Sequence, residues 1–228
     1  MTEAVTNPER WAAWRAQVEA WEAENPTLAA DWNAAWAESE ARAAALDAKA
    51  AARAHLKAAG VPERCVLTID TGARKTEAVE AVRLFLASKA TFLLLSGRPG
   101  CGKSTAAALA LMGGGGVFVR ATEASRLSLF DALDRDRSRE MAQARMLVLD
   151  DMGTEILHDG WRSLLDDLLD RRYGAMRRTV ITTNLLPASD DEVKNPSFRA
   201  RYGARVADRI RHDGHVVTCS DSSMRVRA

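Results

Sequence analysis

Gly97-Arg98-Pro99-Gly100-Cys101-Gly102-Lys103-Ser104 follows the apolar run Thr91-Phe92-Leu93-Leu94-Leu95-Ser96 and precedes the helix-forming run Thr105-Ala106-Ala107-Ala108-Leu109-Ala110-Leu111. Read as strand, loop and helix, the stretch matches G-x-x-x-x-G-K-[ST] at every fixed position. Each fixed residue has a physical reason. Glycines let backbone N–H groups converge on phosphate oxygens at a helix N-terminus, Lys103 reaches the outer phosphates, and Ser104 offers a hydroxyl to magnesium. Residues 97–105, through Thr105, are therefore the expected binding segment for ATP, with Mg2+ as cofactor. Cys101 lies near positive partial charges that favour thiolate, yet it fills a tolerant loop position and carries no catalytic role.

Working outward, the periodicity alternates. Strands are predicted at 91–96, 117–120, 145–150, 179–183 and 215–219, with helices at 74–88, 102–112, 123–141, 160–173 and 201–211. Strands separated by helical runs imply crossover connections, so the fold class is α/β: a parallel five-stranded sheet with flanking helices. Gly60-Val61-Pro62 punctuates the chain and places the boundary of this domain at 60–228. Gly113 to Gly116 reads as a connector.

Two more strand ends carry polar groups. Met146-Leu147-Val148-Leu149 runs into Asp150-Asp151. At the tip of a buried parallel strand beside the phosphate loop, Asp150 is expected to hold magnesium and Asp151 to act as hydrolytic base. Thr179-Val180-Ile181-Thr182-Thr183 ends at Asn184, a neutral group suited to hold water against the terminal phosphate. Arg205 and Arg209 share one helix face at four-residue spacing. They can pair with Asp208 or solvent, or, in an oligomer, place a guanidinium on a neighbour's terminal phosphate.

The bulk numbers set limits. A chain of 228 residues holds one catalytic unit plus a small appendage. With 32 Lys and Arg against 31 Asp and Glu, any nucleic-acid contact must be local. Cys65, Cys101 and Cys219 lack the paired spacing of a metal site or disulfide framework. No leader pattern or membrane-length apolar run occurs, so a cytoplasmic location is expected, with no membrane partner.

Residues 1–59 differ in kind, with nine acidic and six basic side chains. Two helices, 8–24 and 27–59, are predicted on either side of Asn25-Pro26. Trp11, Trp14, Trp21, Trp32 and Trp36 all fall here, five of the chain's six tryptophans. A small all-α helical hairpin could stack some of them, and those it cannot cover would anchor a protein partner. Arg126, Arg135, Arg137 and Arg139 cluster around the 123–141 helix as a candidate surface for DNA, although interspersed acids can equally make it a solvated face.

These elements, taken in order, resemble the DnaC-type replicative helicase loaders and their IstB-like relatives among the AAA+ ATPases. The resemblance covers about residues 60–220. It implies a lidless AAA+ core, Asn184 as sensor 1 and Arg209, assisted by Arg205, as the arginine finger. It also implies self-association through the ATPase domain, single-stranded DNA, and a hexameric DnaB-type replicative helicase gripped through the N-terminal module. The chain departs from most AAA+ enzymes in having Asp151 where a Glu is usual. The competing readings are an IstB-like ATPase regulating a transposase and its target DNA choice, and a small-molecule kinase, which Asn184 and the absent lid disfavour.

Overall fold

The computed structural model describes residues 8–127, 132–189 and 197–220. The chain divides into two compact units, Met1–Ala50 and Ala51–Ala228.

In the first unit, α1 (Pro8–Glu24) is followed by α2 (Pro26–Ala58) with Asn25 alone between them. The Asn25 N–H donates to the Trp21 carbonyl at 3.0 Å, and its own carbonyl accepts from Ala29 N–H at 2.9 Å. Pro26 sits in the first turn, where its missing donor leaves no bond unmade. Both expected helices are thus present, but helical hairpins use loops of about two to five residues, longer than this junction. Trp32 and Trp36, one turn apart on α2, stack with ring centroids 5.9 Å apart. Trp14, Trp21, Trp32 and Trp36 are between 46% and 63% exposed. The side chain of Trp11 lies outside the described residues.

The division falls before the Gly60 boundary expected from punctuation, because α2 passes through it without a glycine or proline. Leu56 and Ala59 are buried in the core of the second unit together with Val82 and Phe85. That unit continues with α3 (Glu63–Asp70), α4 (Glu77–Ala87), β1 (Phe92–Gly97), α5 (Lys103–Leu109) and β2 (Gly116–Arg120). After these come α6 (Ala121–Ala124), α7 (Ala132–Gln143), β3 (Met146–Met152), α8 (Asp159–Gly174) and β4 (Arg178–Thr183). It closes with α9 (Phe198–Tyr202), α10 (Ala204–His212) and β5 (Gly214–Cys219). Helix α3 had no counterpart in the periodicity. The helix expected over 123–141 is instead α6 and α7, and that expected over 201–211 breaks at Gly203, whose φ of 90° ends α9 and opens α10.

The sheet is wholly parallel in the order β2-β3-β4-β1-β5. Strands β1, β2 and β3 read as near-continuous apolar runs because both faces of the sheet are covered there. Alternation divides each strand between two cores. Leu93, Leu95, Val148 and Val180 pack on the face of α4 and α5, while Phe92, Leu94, Leu149 and Ile181 pack with Trp161, Leu165 and Leu169 of α8. Arg172 on α8 is a fully buried cation. It donates to the carbonyls of Met141, Ala144 and Arg178 at 2.8, 2.9 and 2.6 Å and to Thr179 Oγ1 at 2.9 Å. The guanidinium thereby closes the C-terminal end of α7, where carbonyls lack helical partners. Desolvation pushes its pKa down to about 10.

The order places the C-terminal ends of β1, β3 and β4 side by side. The chain leaves β1 in the direction of α5 and β2, so the switch in strand order lies at β1, where open α/β sheets hold their ligands.

Candidate functional site

The loop after β1 is built from glycine geometry. Gly102 caps α5 in the left-handed region at φ 90°. Gly97 has φ 147°, and a Cβ there would come within 2.4 Å of the Cys219 carbonyl. A side chain at either position would distort the loop. Lys103, only 6% exposed, is folded back across it. Its Nζ donates to the carbonyls of Gly97 at 2.8 Å and Arg98 at 2.9 Å, and to Asn184 Oδ1 at 3.0 Å. Three oxygens thus hold the ammonium at the mouth of the loop, ready to exchange them for phosphate oxygens. Arg98 and Pro99 are exposed at the loop tip, whereas Cys101 is buried, 3.6 Å from Lys103 Nζ. Thr105 faces the other way, with Oγ1 3.9 Å from Cys65 Sγ.

Asp150 and Asp151 are not two equivalent acids at a strand tip. Strand β3 runs on to Met152, and between them Asp151 adopts φ 59° while the register against β4 shifts. That turn separates the two carboxylates. Asp150 is buried and accepts from Thr182 Oγ1 at 2.7 Å. Burial raises its carboxyl pKa, opposed by hydrogen bonds from Thr182 and Ser104, and the nearby charge of Asp151 raises it further. Asp151 carries its carboxylate outward, where Oδ1 accepts from Asn184 Nδ2 at 3.1 Å. Thr182 is a residue that sequence reasoning missed. It donates to Asp150 and accepts from the Asp151 N–H at 2.9 Å, so one hydroxyl sets the spacing of both acids. With Thr179 and Thr183 in the same strand, the sequence carried no signal that singled Thr182 out.

Lys103, Asn184 and Asp151 therefore form a chain of hydrogen bonds over the end of the sheet, with Ser104 and Asp150 below it. The donor set suits magnesium: hard hydroxyl and carboxylate oxygens, one of them an acid whose desolvation a cation would relieve.

The arginines of α10 are placed elsewhere. Arg209, 12% exposed at the side chain, reaches Asp166 Oδ1 of α8 at 2.6 Å and also bonds Asp170. Arg205, 68% exposed, lies over the same two carboxylates at 3.4 and 3.6 Å. The alternative partner considered from sequence, Asp208, is not the one used. Acids at 166 and 170 match the spacing of arginines at 205 and 209, a pairing readable only once α8 and α10 are known to be neighbours. On α7, Arg137 pairs with Glu140 at 2.6 Å and Glu123 at 3.8 Å, and Arg139 with Asp136 at 3.0 Å. Arg126 and Arg135 are exposed.

A family model described as IstB-like ATP binding protein matches residues 37–228. An insertion-sequence ATP-binding protein of Sinorhizobium fredii is 35% identical over 89 residues, which are 38% of this chain and 34% of that protein. The match thus spans about a third of the length of that curated relative. Among solved structures, the DnaC helicase loader superposes with a TM-score of 0.56 at 24% identity, covering 70% of this chain and all of that one. DnaI follows with a TM-score of 0.51 at 20% identity, covering 63% of this chain and 84% of that one. At these identities the structural likeness is one of fold.

Proposed function

Because the chain belongs to the IstB-like ATP-binding protein family, we propose that it is a helicase loader, an AAA+ ATPase that grips a replicative helicase through its N-terminal helices and helps place it on single-stranded DNA. The ATPase class follows from the family and the phosphate loop. The loader reading rests on one observation above others, the row of exposed tryptophans on α1 and α2. The family match begins at residue 37, so Trp14, Trp21, Trp32 and Trp36 all precede the matched region. Large, rigid aromatic surface left in water is the kind of group that anchors protein interfaces.

In this reading the loop after β1 binds the triphosphate of ATP, with Lys103 exchanging its carbonyl partners for phosphate oxygens. When bound, a magnesium ion held by Ser104 and Asp150 supplies neutralisation of phosphate charge. Asp151 accepts the proton of the attacking water, and Asn184, bonded to both Asp151 and Lys103, orients that water. Arg209 and Arg205 act on the site of a neighbouring protomer, which requires them to exchange Asp166 and Asp170 for phosphate. Arg126, Arg135, Arg137 and Arg139 follow the DNA backbone in the assembly. Among the described residues no helix is long and apolar enough to cross a membrane.

The insertion-sequence relative favours a second reading, in which the same ATPase regulates a transposase and its choice of target DNA. A loading assay separates the two. Helicase retained on circular single-stranded DNA should rise with the wild-type chain and ATP. It should not rise with a variant carrying Trp14→Ala, Trp21→Ala, Trp32→Ala and Trp36→Ala that still binds ATP. Retention unchanged by the wild-type chain, together with complex formation on a transposase, would replace the loader reading with the second.

A further inference from the structure

Glu155 is a buried acid that the scheme above does not use. It sits in the loop between β3 and α8, and its side chain has no exposed surface. Such a carboxylate is costly to desolvate unless donors surround it, and here they come from three separate segments. The Gly153 N–H donates to Oε2 at 2.8 Å and Trp161 Nε1 of α8 to Oε1 at 3.3 Å. The Tyr202 hydroxyl of α9 also donates to Oε1, while Arg201 bonds the Glu155 carbonyl and lies 3.9 Å from the carboxylate. Burial and the Glu155 carboxylate together raise the Tyr202 phenol well above its ordinary pKa.

The donors are arranged around function. Gly153 is two residues beyond Asp151, in the loop that leads from β3 to α8. Tyr202 is the last residue of α9, and Gly203 after it is the hinge from which α10 starts, carrying Arg205 and Arg209. Phe198, Tyr202, Val206 and Ile210 flank this hinge in the apolar core with Trp161 and Leu165, while an open cleft of about 320 Å³ lined by Leu165, Asp166, Tyr202, Arg205 and Val206 adjoins the first turn of α10. Hydrogen bonds to one carboxylate add the directional tie between Tyr202 and the loop after β3.

We propose that Glu155 is a positioning residue that ties the loop of Asp151 to the start of the helix bearing Arg205 and Arg209, so that hydrolysis at one site and the arginines offered to the next are set together. The inference rests on the roles given to Asp151 and the α10 arginines under the proposed function. A displacement at either end reaches the other through Oε1 and Oε2 of a single side chain, and misplacements of about 1 Å near a reacting group cost about 100-fold in rate.

Tyr202→Phe removes one donor without altering bulk, and Glu155→Gln replaces an acceptor with an amide whose N–H₂ must oppose a donor. Steady-state ATP turnover at 20 °C, read beside a thermal melt of each variant, separates positioning from mere stability. For both variants kcat is expected to fall about 10- to 100-fold while KM for ATP stays within about threefold of wild type. Asp151→Asn is run alongside. If Asp151→Asn abolishes turnover but Tyr202→Phe and Glu155→Gln keep wild-type kcat and lose only thermal stability, the positioning role is overturned and the site assignment survives. Wild-type turnover in Asp151→Asn would overturn both. Should Glu155→Gln fail to fold, Tyr202→Phe alone decides.

Discussion

Replacing Arg209 with alanine separates the pairing its guanidinium makes within the protomer from the role proposed for it in trans. Within the protomer it pairs with Asp166 and Asp170, whose side chains remain 37% and 51% exposed. Two charge-assisted hydrogen bonds are worth about 3–6 kcal/mol if fully buried, but the aspartates can rehydrate and Arg205 can close on them, which reduces the loss to about 1–2 kcal/mol. For a chain of this size that is a fall in Tm of about 2–8 °C, small against a total stability of about 5–15 kcal/mol. The variant therefore stays folded at 25 °C and binds ATP. A guanidinium acting on a neighbour's terminal phosphate is worth about 10³–10⁵ in kcat. That loss is far beyond what partial unfolding could produce. The assay is turnover by Arg209→Ala, by Lys103→Ala, which keeps its arginines but loses nucleotide binding, and by their equal mixture. Each variant alone should be inactive. In the mixture about a quarter of head-to-tail contacts pair an intact loop with an intact arginine, so turnover should recover to about a quarter of wild type. Wild-type turnover by Arg209→Ala alone, or no recovery on mixing variants that still assemble, refutes the role in trans.

Other perturbations test separate parts. Arg172→Met leaves the carbonyls of Met141, Ala144 and Arg178 without their donor, and calorimetry should show a loss of about 3–5 kcal/mol; a shift under about 1 kcal/mol would mean the cation contributes little beyond its bulk. Asp150 has its folded-state pKa raised by burial, so the nucleotide-free protein binds more protons at this group than the unfolded chain does, and its contribution to stability falls as pH rises from the ordinary carboxylate range through the raised value. Asp150→Asn should then raise the Tm of the nucleotide-free protein at neutral pH while removing magnesium-dependent ATP binding; a lower Tm would contradict this. DNA affinity should require ATP and fall with salt, and Arg135→Ala should lower the slope of log affinity against log salt by about one; salt-independent binding would remove α7 from the interface.

The central strands, the phosphate loop and the acid pair were legible because their constraints are local. Apolar runs such as Phe92 to Leu95 and the fixed glycine spacing mean the same thing wherever the chain folds. Less legible were features that depend on distant segments meeting. Thr182 becomes the bridge between Asp150 and Asp151 only when β3 and β4 pair with a register shift. Arg209 finds Asp166 and Asp170 only when α10 packs by α8, and Glu155 is one acid among many until Trp161 and Tyr202 close around it. At the other end of the chain, alanine-rich composition and the Asn25-Pro26 break gave both helices, and what the sequence did not show is that the hydrogen bonds of Asn25 link one directly to the next.

Light scattering on size-exclusion fractions of this protein mixed with the replicative helicase of its host tests the loader reading most directly, with the full chain compared against residues 51–228, so that Leu56 and Ala59 remain in the ATPase core. A complex formed by the full chain and lost on removal of residues 1–50, with ATP binding retained, is the expected result. No complex with the full chain in the presence or absence of ATP would contradict it.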